Sequence, residues 1–581
     1  MVMHEDPNQI NYFAATNARG KSIPFGIKRK DRARHMYVIG KTGMGKSTLL
    51  ENMAIQDIRN GEGVAFIDPH GSTADRIMEY VPAHRVKDVV YFAPFDMEYP
   101  IAFNVMEDVG YDKRHLVVSG LLSAFRKIWV DAWSARMEYI LSNTLLALLE
   151  YEGATLLDVN RMLINKGFRK KVVENVKDPV VKAFWVEEFA IYTDRYTQEA
   201  TPAIQNKVGQ FTSNPLIRNI VGQPKSSFDI RKLMDEKKIF IMNLSKGRVG
   251  EVNATLLGSM LVTKIYLAAM SRADVPVSVL QTLPNFYFYV DEFQTFANES
   301  FADILSEARK YKLNLIIAHQ YVEQMEEEVR DAVFGNVGTT VVFRVGPFDA
   351  EVLETIFQPQ FMAVDLVNLG FAQIYLTLMI DGVGSPPFSA VTLPPFDPPP
   401  ERHVEAVLQN SRMVYAAPRA KVEGSIKDWH ELDAPVAPEP KPKRDYRPAP
   451  RVAAPPPTPV APLRQEEPRP HVHSADPKAL GENLAHKHSM AASKAGPASR
   501  PAPRRPEQPA RPPLEGTTSL REALLKATGT SAQTSTPADA PTSQSRPSLK
   551  DTLRTIAPPP TQKQAGLGGT ELEDMLKVDV E

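Results

Sequence analysis

A short apolar strand followed by a glycine-rich loop and a helix, within residues 36 to 50, constrains the fold of this chain more than any other segment. The loop reads Gly40, four residues, then Gly45, Lys46 and Ser47, which is the spacing of a P-loop. Glycine permits the backbone angles with which consecutive N–H groups converge on phosphate oxygens at a helix N-terminus. The segment therefore predicts an α/β fold that binds a nucleoside triphosphate.

Individual loop residues can be assigned to parts of the nucleotide. Lys46 would reach the β and γ phosphates, and the Ser47 hydroxyl would bind Mg²⁺. Thr48, which we expect to begin the helix proper, is a weaker candidate for the α phosphate. The predicted cofactors are ATP and Mg²⁺. The predicted nucleotide-binding residues are Gly40, Lys41, Thr42, Gly43, Met44, Gly45, Lys46, Ser47 and Thr48.

A second segment supplies the acidic residues that a hydrolytic site needs. An apolar, aromatic-rich strand ends at Val290 and is followed by Asp291 and Glu292. Asp291 would hold Mg²⁺ through water, and Glu292, which the metal does not need, would be the general base that polarises the attacking water. A strand end with two solvated acids is the alternative, but the P-loop in the same chain favours hydrolysis.

Short apolar segments separated by helical periodicity or turns predict a parallel sheet covered by helices. Helix-period segments without strands run from about 110 to 235 and indicate an all-α insertion into the sheet. The predicted strands are 36–39, 64–67, 89–93, 238–244, 285–290, 313–318, 339–345 and 372–379. The predicted fold class is therefore α/β, a RecA-like P-loop NTPase with an all-α inserted domain.

Composition changes sharply near the end of this pattern. More than half of the 49 prolines lie beyond residue 433, where aromatic residues almost vanish, and such a composition predicts a disordered tail. Three leucine-containing segments in the tail either fold against a partner groove or are incidental; they are residues 519–524, 548–553 and 571–576. The predicted domains are the nucleotide-binding parts 1–110 and 236–395, the all-α insertion 111–235, a helical extension 396–432 and the tail 433–581.

The overall composition narrows the binding partners and the cellular compartments that suit this chain. The chain has no cysteine, so it has neither disulfides nor thiolate metal sites, which fits a reducing cytosol. A net charge of −1 gives no overall electrostatic footprint for nucleic acid, so DNA contact would come from a local groove or pore. The longest apolar run, Leu256 to Met270, is short and is interrupted by Lys264. Because the N-terminus also lacks a signal-peptide pattern, we expect a cytoplasmic protein.

Five short motifs follow one another along the chain: Gly40–Ser47, Asp68–Gly71, Val290–Phe293, Ala308–Tyr311 and His319–Gln320. In this order they resemble the HerA/FtsK superfamily of P-loop ATPases, most closely its type IV secretion coupling-protein branch. The resemblance extends from about residue 25 to about residue 430 and does not cover the tail. It implies a homohexameric ring motor with ATP between subunits, DNA in a central channel, and an all-α domain that receives a relaxase or another protein substrate.

One departure from that branch concerns the membrane. Membrane-bound coupling proteins carry N-terminal transmembrane helices, whereas this sequence begins its nucleotide domain within about 25 residues and has none before it. We therefore expect membrane contact only through a partner, or a cytosolic role closer to that of HerA-type translocases.

Two further catalytic residues are implied by the resemblance. Arg309 is similar to the arginine finger that reaches the γ phosphate of a neighbouring subunit, and such a finger makes hydrolysis depend on assembly. Gln320 resembles the sensor glutamine, and its place after an apolar strand puts it at the same sheet edge as Asp291 and Glu292. A solvated helix residue and a simple polar strand end are the alternatives. Arg344, just after the next strand, is the rival arginine finger.

Two other features leave their roles open. Asp68 follows a strand at the same edge, so it could support the Mg²⁺ shell, but Asp-Pro is equally a turn-forming pair. A basic cluster could contact DNA, but basic residues in a mixed-charge helix are usually a solvated face. The cluster consists of Lys166, Arg169, Lys170 and Lys171.

The predicted function is an ATP-dependent DNA translocase or coupling ATPase, in conjugative transfer or type IV secretion. A HerA-like DNA-processing helicase is an alternative within the same class. An ATP-gated factor that recruits protein substrates through its helical insertion is an alternative from a different class. The paired Asp291 and Glu292 argue against a small-molecule kinase.

Overall fold

The computed structural model describes residues 6–17, 20–107, 109–193, 196, 199–297 and 300–431. The predicted tail, with its three leucine-containing segments, lies outside the described residues. All the elements reported below belong to one compact unit of the chain.

A large mixed sheet organises the molecule. Its strands occur in the order β2-β1-β13-β10-β9-β3-β8-β7-β4-β6-β5, while β11 and β12 form a separate hairpin. The strands are β1 (Ile10–Thr16), β2 (Pro24–Lys28), β3 (Met36–Ile39), β4 (Gly63–Asp68), β5 (Val89–Phe92), β6 (Ile239–Asn243), β7 (Phe286–Val290), β8 (Leu313–His319), β9 (Thr339–Val342), β10 (Gln373–Thr377), β11 (Met379–Ile380), β12 (Val383–Gly384) and β13 (Phe388–Thr392).

The sheet has a parallel part and an antiparallel part. The strands from β9 to β5 pair in parallel, and every residue in them is buried, as expected for strands covered on both faces. The strands β10, β13, β1 and β2 extend the sheet in antiparallel fashion. The predicted parallel sheet is therefore present, and this flank adds antiparallel strands to it, whose half-buried residues carry a weaker apolar signal.

Helices cover both faces and fill the insertion. They are α1 (Lys46–Arg59), α2 (Ser72–Glu79), α3 (Arg114–Ile128), α4 (Ala135–Leu149), α5 (Asp158–Ile164), α6 (Lys166–Asn175), α7 (Pro179–Ala183), α8 (Pro202–Thr212), α9 (Pro215–Val221), α10 (Ile230–Asp235), α11 (Lys246–Val249), α12 (Glu251–Met270), α13 (Val277–Thr282), α14 (Ser300–Glu307), α15 (Glu327–Asn336), α16 (Pro347–Phe357), α17 (Ala363–Val367), α18 (Val404–Tyr415) and α19 (Arg419–Glu431). The first helix begins at Lys46, two residues before the position expected from the sequence.

Alternate residues of the central strands feed two hydrophobic cores. Val38 and Phe66 point to the face covered by α1, while Tyr37 and Ile67 point to the other face, whose core continues into the helical insertion. This alternation is the period-two geometry of a strand. The sheet and the insertion therefore share one continuous core on the second face.

The insertion between β5 and β6 is helical. From Arg114 to Asp235 the described residues contain helices and turns and no strand. The helix α3 packs against α12 so closely that a Cβ on Gly120 would lie 2.3 Å from the Thr263 side chain. Among the described residues, one helical stretch, Glu251–Asp274, is long and apolar enough to cross a membrane, but 72% of its most apolar window is buried in the fold. That burial is typical of a helix in the core of a domain.

The chain returns to the surface of the sheet and of the insertion through its last two described helices. Ser411 on α18 accepts a hydrogen bond from the backbone N–H of Tyr91 on the edge strand β5 (3.0 Å), so this helix covers that edge. The indole N–H of Trp429 on α19 donates to Asp158 of the insertion (3.0 Å to Oδ1). Helices expected near 401–411 and 418–430 thus occur within a few residues of those positions.

Candidate nucleotide site

The polar residues of the candidate site gather where four parallel strands end. The P-loop follows β3, Asp68 ends β4, Asp291 follows β7 and Gln320 follows β8. Because these strands are parallel, their carboxyl ends lie along one edge of the sheet, where open α/β sheets form their ligand crevices. The strand order therefore brings together residues that are up to 280 positions apart in the sequence.

The P-loop is tightly seated between its neighbours. A Cβ on Gly40 would lie 2.5 Å from the Cβ of Phe343, so only glycine fits there. The Gly40 N–H donates to the His319 carbonyl (3.2 Å), and the Lys41 N–H donates to the Arg344 carbonyl (2.8 Å). Gly45, with φ of 116°, precedes the first turn of α1. The loop is therefore anchored to β8 and to the segment after β9.

Lys46 is folded back over this loop. Its Nζ donates to the carbonyl oxygens of Gly40 (2.7 Å) and Lys41 (3.2 Å). Burial lowers the pKa of Lys46 below its ordinary value, while the carboxylates of Glu292 and Asp291 act in the opposite direction. The ammonium is therefore held in a buried position that favours an anionic ligand.

The Ser47 hydroxyl donates to Oδ2 of Asp291 across 2.9 Å. Asp291 is buried, and this burial raises its pKa to about 6; the charges of Asp68 and Glu292 add to the rise, and the Ser47 hydroxyl opposes it. A hydroxyl and a carboxylate in contact beside a phosphate-binding loop fit Mg²⁺, which takes few protein ligands and completes its shell with water and phosphate oxygens. No group of three His, Cys, Asp or Glu side chains arranged for a metal occurs among the described residues.

Glu292 has a different environment from its neighbour. Its backbone adopts a left-handed conformation (φ 49°, ψ 51°), and its carboxylate accepts hydrogen bonds from Nε2 of Gln294 (2.5 Å) and from Nε2 of Gln320. Nε2 of His70 lies 3.9 Å from Oε1. Burial opposes ionisation, but the nearby His70, the hydrogen bonds from Gln320 and Gln294, and the charge of Lys46 lower the pKa of Glu292 to about 2. The side chain is therefore ionised at neutral pH.

Gln320 connects Glu292 to the P-loop. Its Nε2 donates to Glu292, and its Oε1 accepts a hydrogen bond from the Thr42 hydroxyl (3.0 Å). The structure thus places Gln320 beside Glu292, at the sheet edge expected from the sequence. A side chain that touches both the loop and the carboxylate can respond to a ligand bound between them.

The family model for the type IV secretion-system coupling protein DNA-binding domain matches residues 20–355, more than half of the chain. The chain belongs to this family. The match includes the P-loop, the helical insertion and the segments that carry Asp291, Glu292 and Gln320. No curated protein sequence matches the chain.

Several solved structures are remotely similar to this coupling-protein chain. The plasmid coupling protein TrwB in complex with ADP and Mg²⁺ is 15% identical, with 69% of this chain and 92% of that chain covered and a TM-score of 0.48. TrwB in complex with the non-hydrolysable GTP analogue GDPNP gives 15% identity, coverages of 68% and 91%, and a TM-score of 0.48. VirB4 of Thermoanaerobacter pseudethanolicus gives 14%, coverages of 67% and 97%, and a TM-score of 0.43.

The two candidate arginines of this coupling-protein chain lie at opposite edges of the sheet. Arg309 is exposed in a short turn before β8, at the amino edge, and its side chain makes no hydrogen bond or ion pair with the described residues. The seven residues of β8 span about 20 Å, so this guanidinium cannot reach the loop of its own chain. Arg344 instead lies beside its own loop, with Nη2 3.3 Å from Sδ of Met44.

The Asp68 carboxylate stabilises a turn and is not free to act as a metal ligand. Its carboxylate accepts the backbone N–H groups of His70 (2.7 Å), Thr73 (2.9 Å) and Ala74 (2.9 Å), and so caps the start of α2. Of the two interpretations left open by the sequence, the geometry favours the turn. Asp68 still acts on the site through its charge, which contributes to the raised pKa of Asp291.

Two residues of the basic cluster, Lys170 and Arg169, contact neighbouring groups of the insertion. Lys170 is exposed and lies 3.8 Å from Glu174 on the same helix, while Nη1 of Arg169 donates to the carbonyl of Met162 (2.9 Å). The exposed Lys170 fits the solvated-face interpretation, whereas Arg169 is half-buried, lies 5.1 Å from the centre of the Phe189 ring and caps the end of α5.

Three side chains at the site were not predicted to act there. His70 and Gln294 contact Glu292 directly, and Lys127 on α3 reaches the segment that carries them. His70 lies within a motif that marks the family, and Gln294 follows Glu292 by two residues, so both carried a local signal. The sequence near Lys127 gives no such signal, because the contact of Lys127 depends on how the insertion packs against the sheet.

Proposed function

We propose that this chain is a Mg²⁺-dependent ATP hydrolase that moves DNA in conjugative transfer or type IV secretion. The observation that carries the proposal is the arrangement at the sheet edge: the Ser47–Asp291 pair and the ionised Glu292 lie beside a seated P-loop. Binding alone would not need a second carboxylate that hydrogen bonds hold ionised. Membership of the coupling-protein family supports the role in DNA transfer.

In the proposed mechanism each residue of the site has a distinct task. The loop N–H groups and Lys46, released from the carbonyls of Gly40 and Lys41, would bind the β and γ phosphates. Ser47 and Asp291 would hold Mg²⁺, which neutralises phosphate charge when bound. Glu292 would accept the proton of the attacking water.

Two side chains would prepare Glu292 for that task. Gln320 holds one carboxylate oxygen and touches Thr42 of the loop, so it would align the carboxylate when a γ phosphate occupies the loop. Gln294 holds the other oxygen. With both oxygens oriented, the free lone pairs of the carboxylate are directed to a defined position for water.

The nucleotide chemistry of solved relatives supports ATP and Mg²⁺ as cofactors, because TrwB structures contain ADP with Mg²⁺ or a GTP analogue.

We further propose a homohexameric ring with the nucleotide between subunits and Arg309 supplied by a neighbour. The exposed position of Arg309, far from its own loop, supports this assignment. DNA would pass through the central channel, since the net charge of −1 offers no overall basic surface.

The other partners are proposals of the same kind. The helical insertion would receive a relaxase or another protein substrate, and the motor would work in the cytoplasm with membrane contact only through a partner. The tail remains a candidate tether for such partners.

ATP hydrolysis measured with and without single-stranded and double-stranded DNA tests the proposal, together with the mass of the assembled species. We expect turnover to rise with DNA at low salt and to fall as salt weakens phosphate contacts. Turnover that ignores DNA at low salt but responds to a protein partner would replace the motor with an ATP-gated recruitment factor.

A further inference from the structure

Lys127 joins the helical insertion to the segment that carries Glu292. It lies near the end of α3, and its Nζ donates to the backbone carbonyl of Gln294 (2.6 Å) and to that of Ala297. Lys127 forms no ion pair with the described residues, and its ammonium is held by these two carbonyls. Burial lowers the pKa of this ammonium to about 8. Placing a half-buried cation against neutral carbonyls costs free energy. We therefore expect this contact to have a specific role.

The same segment returns to the catalytic carboxylate through a side chain. Gln294, whose carbonyl Lys127 holds, donates its Nε2 to Oε2 of Glu292 at 2.5 Å. The path from the insertion to the proposed base therefore contains two hydrogen bonds: ammonium to carbonyl, and amide to carboxylate. Burial lowers the pKa of His319 to about 3; the charge of Glu292 opposes this shift, and the charges of Lys46 and Lys127 add to it, so all three charges lie near one ring.

Apolar packing and backbone hydrogen bonds hold this segment, and Lys127 binds two of its carbonyls in addition. Phe293 and Phe296 are fully buried, and a Cβ on Gly258 of α12 would lie 2.3 Å from the Phe296 ring. These contacts hold the segment against α12. Within the turn, the Thr295 N–H donates to the Glu292 carbonyl (2.8 Å), and the Ser259 hydroxyl of α12 donates to the Phe296 carbonyl (3.2 Å). Lys127 adds a donor to the carbonyls of Gln294 and Ala297.

We propose that Lys127 is a positioning residue, which fixes the turn after β7 so that the Gln294 amide meets Glu292 and the helical insertion thereby becomes part of the hydrolytic site. The inference rests on the proposed function, in which Glu292 is the general base. A protein bound to the insertion that shifts α3 would change the geometry of Glu292 without touching the nucleotide.

The test compares the full-length Lys127→Met variant with Lys113→Met in steady-state ATP hydrolysis with DNA present. Lys113 precedes the same helix and pairs with Asp274 at the surface, so its removal controls for a lost lysine. We expect Lys127→Met to lower kcat about tenfold or more with KM for ATP changed less than about twofold. Lys113→Met should remain within about twofold in both. A Lys127→Met kcat within twofold of wild type, or a rise in KM alone, would overturn the proposal.

A second variant, Gln294→Met, breaks the path at its other hydrogen bond and leaves the carbonyl acceptors of Lys127 in place. We expect a similar loss in kcat, and a loss in the double variant close to the larger single loss, because both changes act through Glu292. Losses that multiply in the double variant would contradict a shared path. If Lys127→Met does not fold, Gln294→Met decides alone, and a wild-type kcat there overturns the proposal.

Glu292→Gln separates this inference from the proposed function. Loss of hydrolysis in Glu292→Gln, with normal turnover in Lys127→Met and Gln294→Met, removes the positioning role and leaves the base assignment in place. Persisting hydrolysis in Glu292→Gln removes the base assignment, and the positioning role with it.

Discussion

The pKa values of two adjacent carboxylates of this site are shifted in opposite directions by their surroundings. Asp291 accepts hydrogen bonds from the Ser47 hydroxyl and from the Glu292 backbone N–H, but its burial raises its pKa to about 6. Glu292 receives two amide donors and lies near Lys46, and its pKa falls to about 2. Neighbouring acids with separated pKa values commonly mark divided roles. Here the separation fits a metal ligand beside a base that is ionised before substrate arrives.

Glu292→Gln should bind ATP with near-normal affinity and hydrolyse it at least about a hundredfold more slowly, because a general base contributes on that order. Lys46→Ala should lose nucleotide binding itself, since the buried ammonium is the main counter-charge for the phosphates. Nucleotide titration and single-turnover hydrolysis measure the two effects separately. Wild-type turnover in Glu292→Gln would remove this residue from the mechanism.

His35 gives the fold a measurable dependence on pH. Burial, assisted by the charge of Arg309, lowers its pKa from 6.5 to about 4, and the neutral ring accepts the Leu315 N–H through Nδ1 (3.1 Å). Between these two pKa values the unfolded chain binds more protons than the folded one. The free energy of unfolding should therefore fall by about 3 kcal/mol as the pH decreases from above 6.5 to 4.

The variant His35→Asn isolates that contribution. Asparagine tolerates the positive φ of 60° at this position and does not titrate. Urea unfolding at pH 7 and pH 4.5 should show a smaller loss of stability on acidification in the variant than in the wild type. Equal losses in the two proteins would contradict the assignment to His35.

The site residues that the sequence predicted are those whose role is set by local spacing. The P-loop, and Asp291 with Glu292 at the end of an apolar strand, depend on a few consecutive residues, and parallel pairing then brings the strand ends together. Lys127 could not be predicted in this way, because nothing near it in sequence reveals that α3 ends beside the Gln294 carbonyl. Arg344 was expected as a rival finger in trans, whereas its position beside Met44 is a contact within one chain.

At the level of elements, the sequence predicted the strands of the parallel half of the sheet and, in the antiparallel flank, only β10. Strands β3 to β9 are buried on both faces and read as continuous apolar runs. The strands β1, β2 and β13 are only partly buried. The strand β2 pairs with the nearby β1, whereas the β1–β13 pairing spans almost the whole described chain, as in Ala14 with Thr392. Pairing over such a distance leaves no local pattern in the sequence.

The helix α19 provides a test of how the end of the described chain stabilises the insertion. Asp158 is fully buried, and the Trp429 indole is one of its hydrogen-bond donors, together with the Thr155 N–H (2.9 Å). Trp429→Phe keeps most of the ring packing but removes that donor, so it should cost about 1–3 kcal/mol. Met413→Ala on α18, an exposed position, should change stability by less than about 0.5 kcal/mol. Chemical unfolding of both variants measures the difference, and equal stabilities would show that the indole N–H contributes nothing.

At the scale of the whole molecule, the two edges of the sheet present complementary halves of the proposed hydrolytic site. The carboxyl edge carries the P-loop and Glu292, and the amino edge carries the exposed Arg309. A contact that joins one edge to the opposite edge of the next copy is head-to-tail, and repetition of such a contact closes a ring when its rotation allows. The exposed position of Arg309 at the amino edge thus supports the proposed ring.

Mixing of inactive variants tests whether Arg309 acts in trans. Arg309→Ala and Glu292→Gln should each be nearly inactive alone. When the two chains assemble together, a site formed by Glu292 of one and Arg309 of the other is intact, so random mixing at equal amounts should restore activity at about a quarter of the sites. The measurement is DNA-stimulated ATP hydrolysis of co-assembled chains, titrated over their ratio.

Arg344 supplies the matched control, because it lies beside the loop of its own chain. If Arg344 contributes to hydrolysis in cis, a mixture of Arg344→Ala with Glu292→Gln contains no intact site, since each chain brings a defect to its own loop. Restoration by the Arg309 mixture and not by the Arg344 mixture would assign the finger to Arg309. The reverse result would exchange the two roles and would require a ring in which Arg344 moves away from Met44 to face the neighbouring nucleotide.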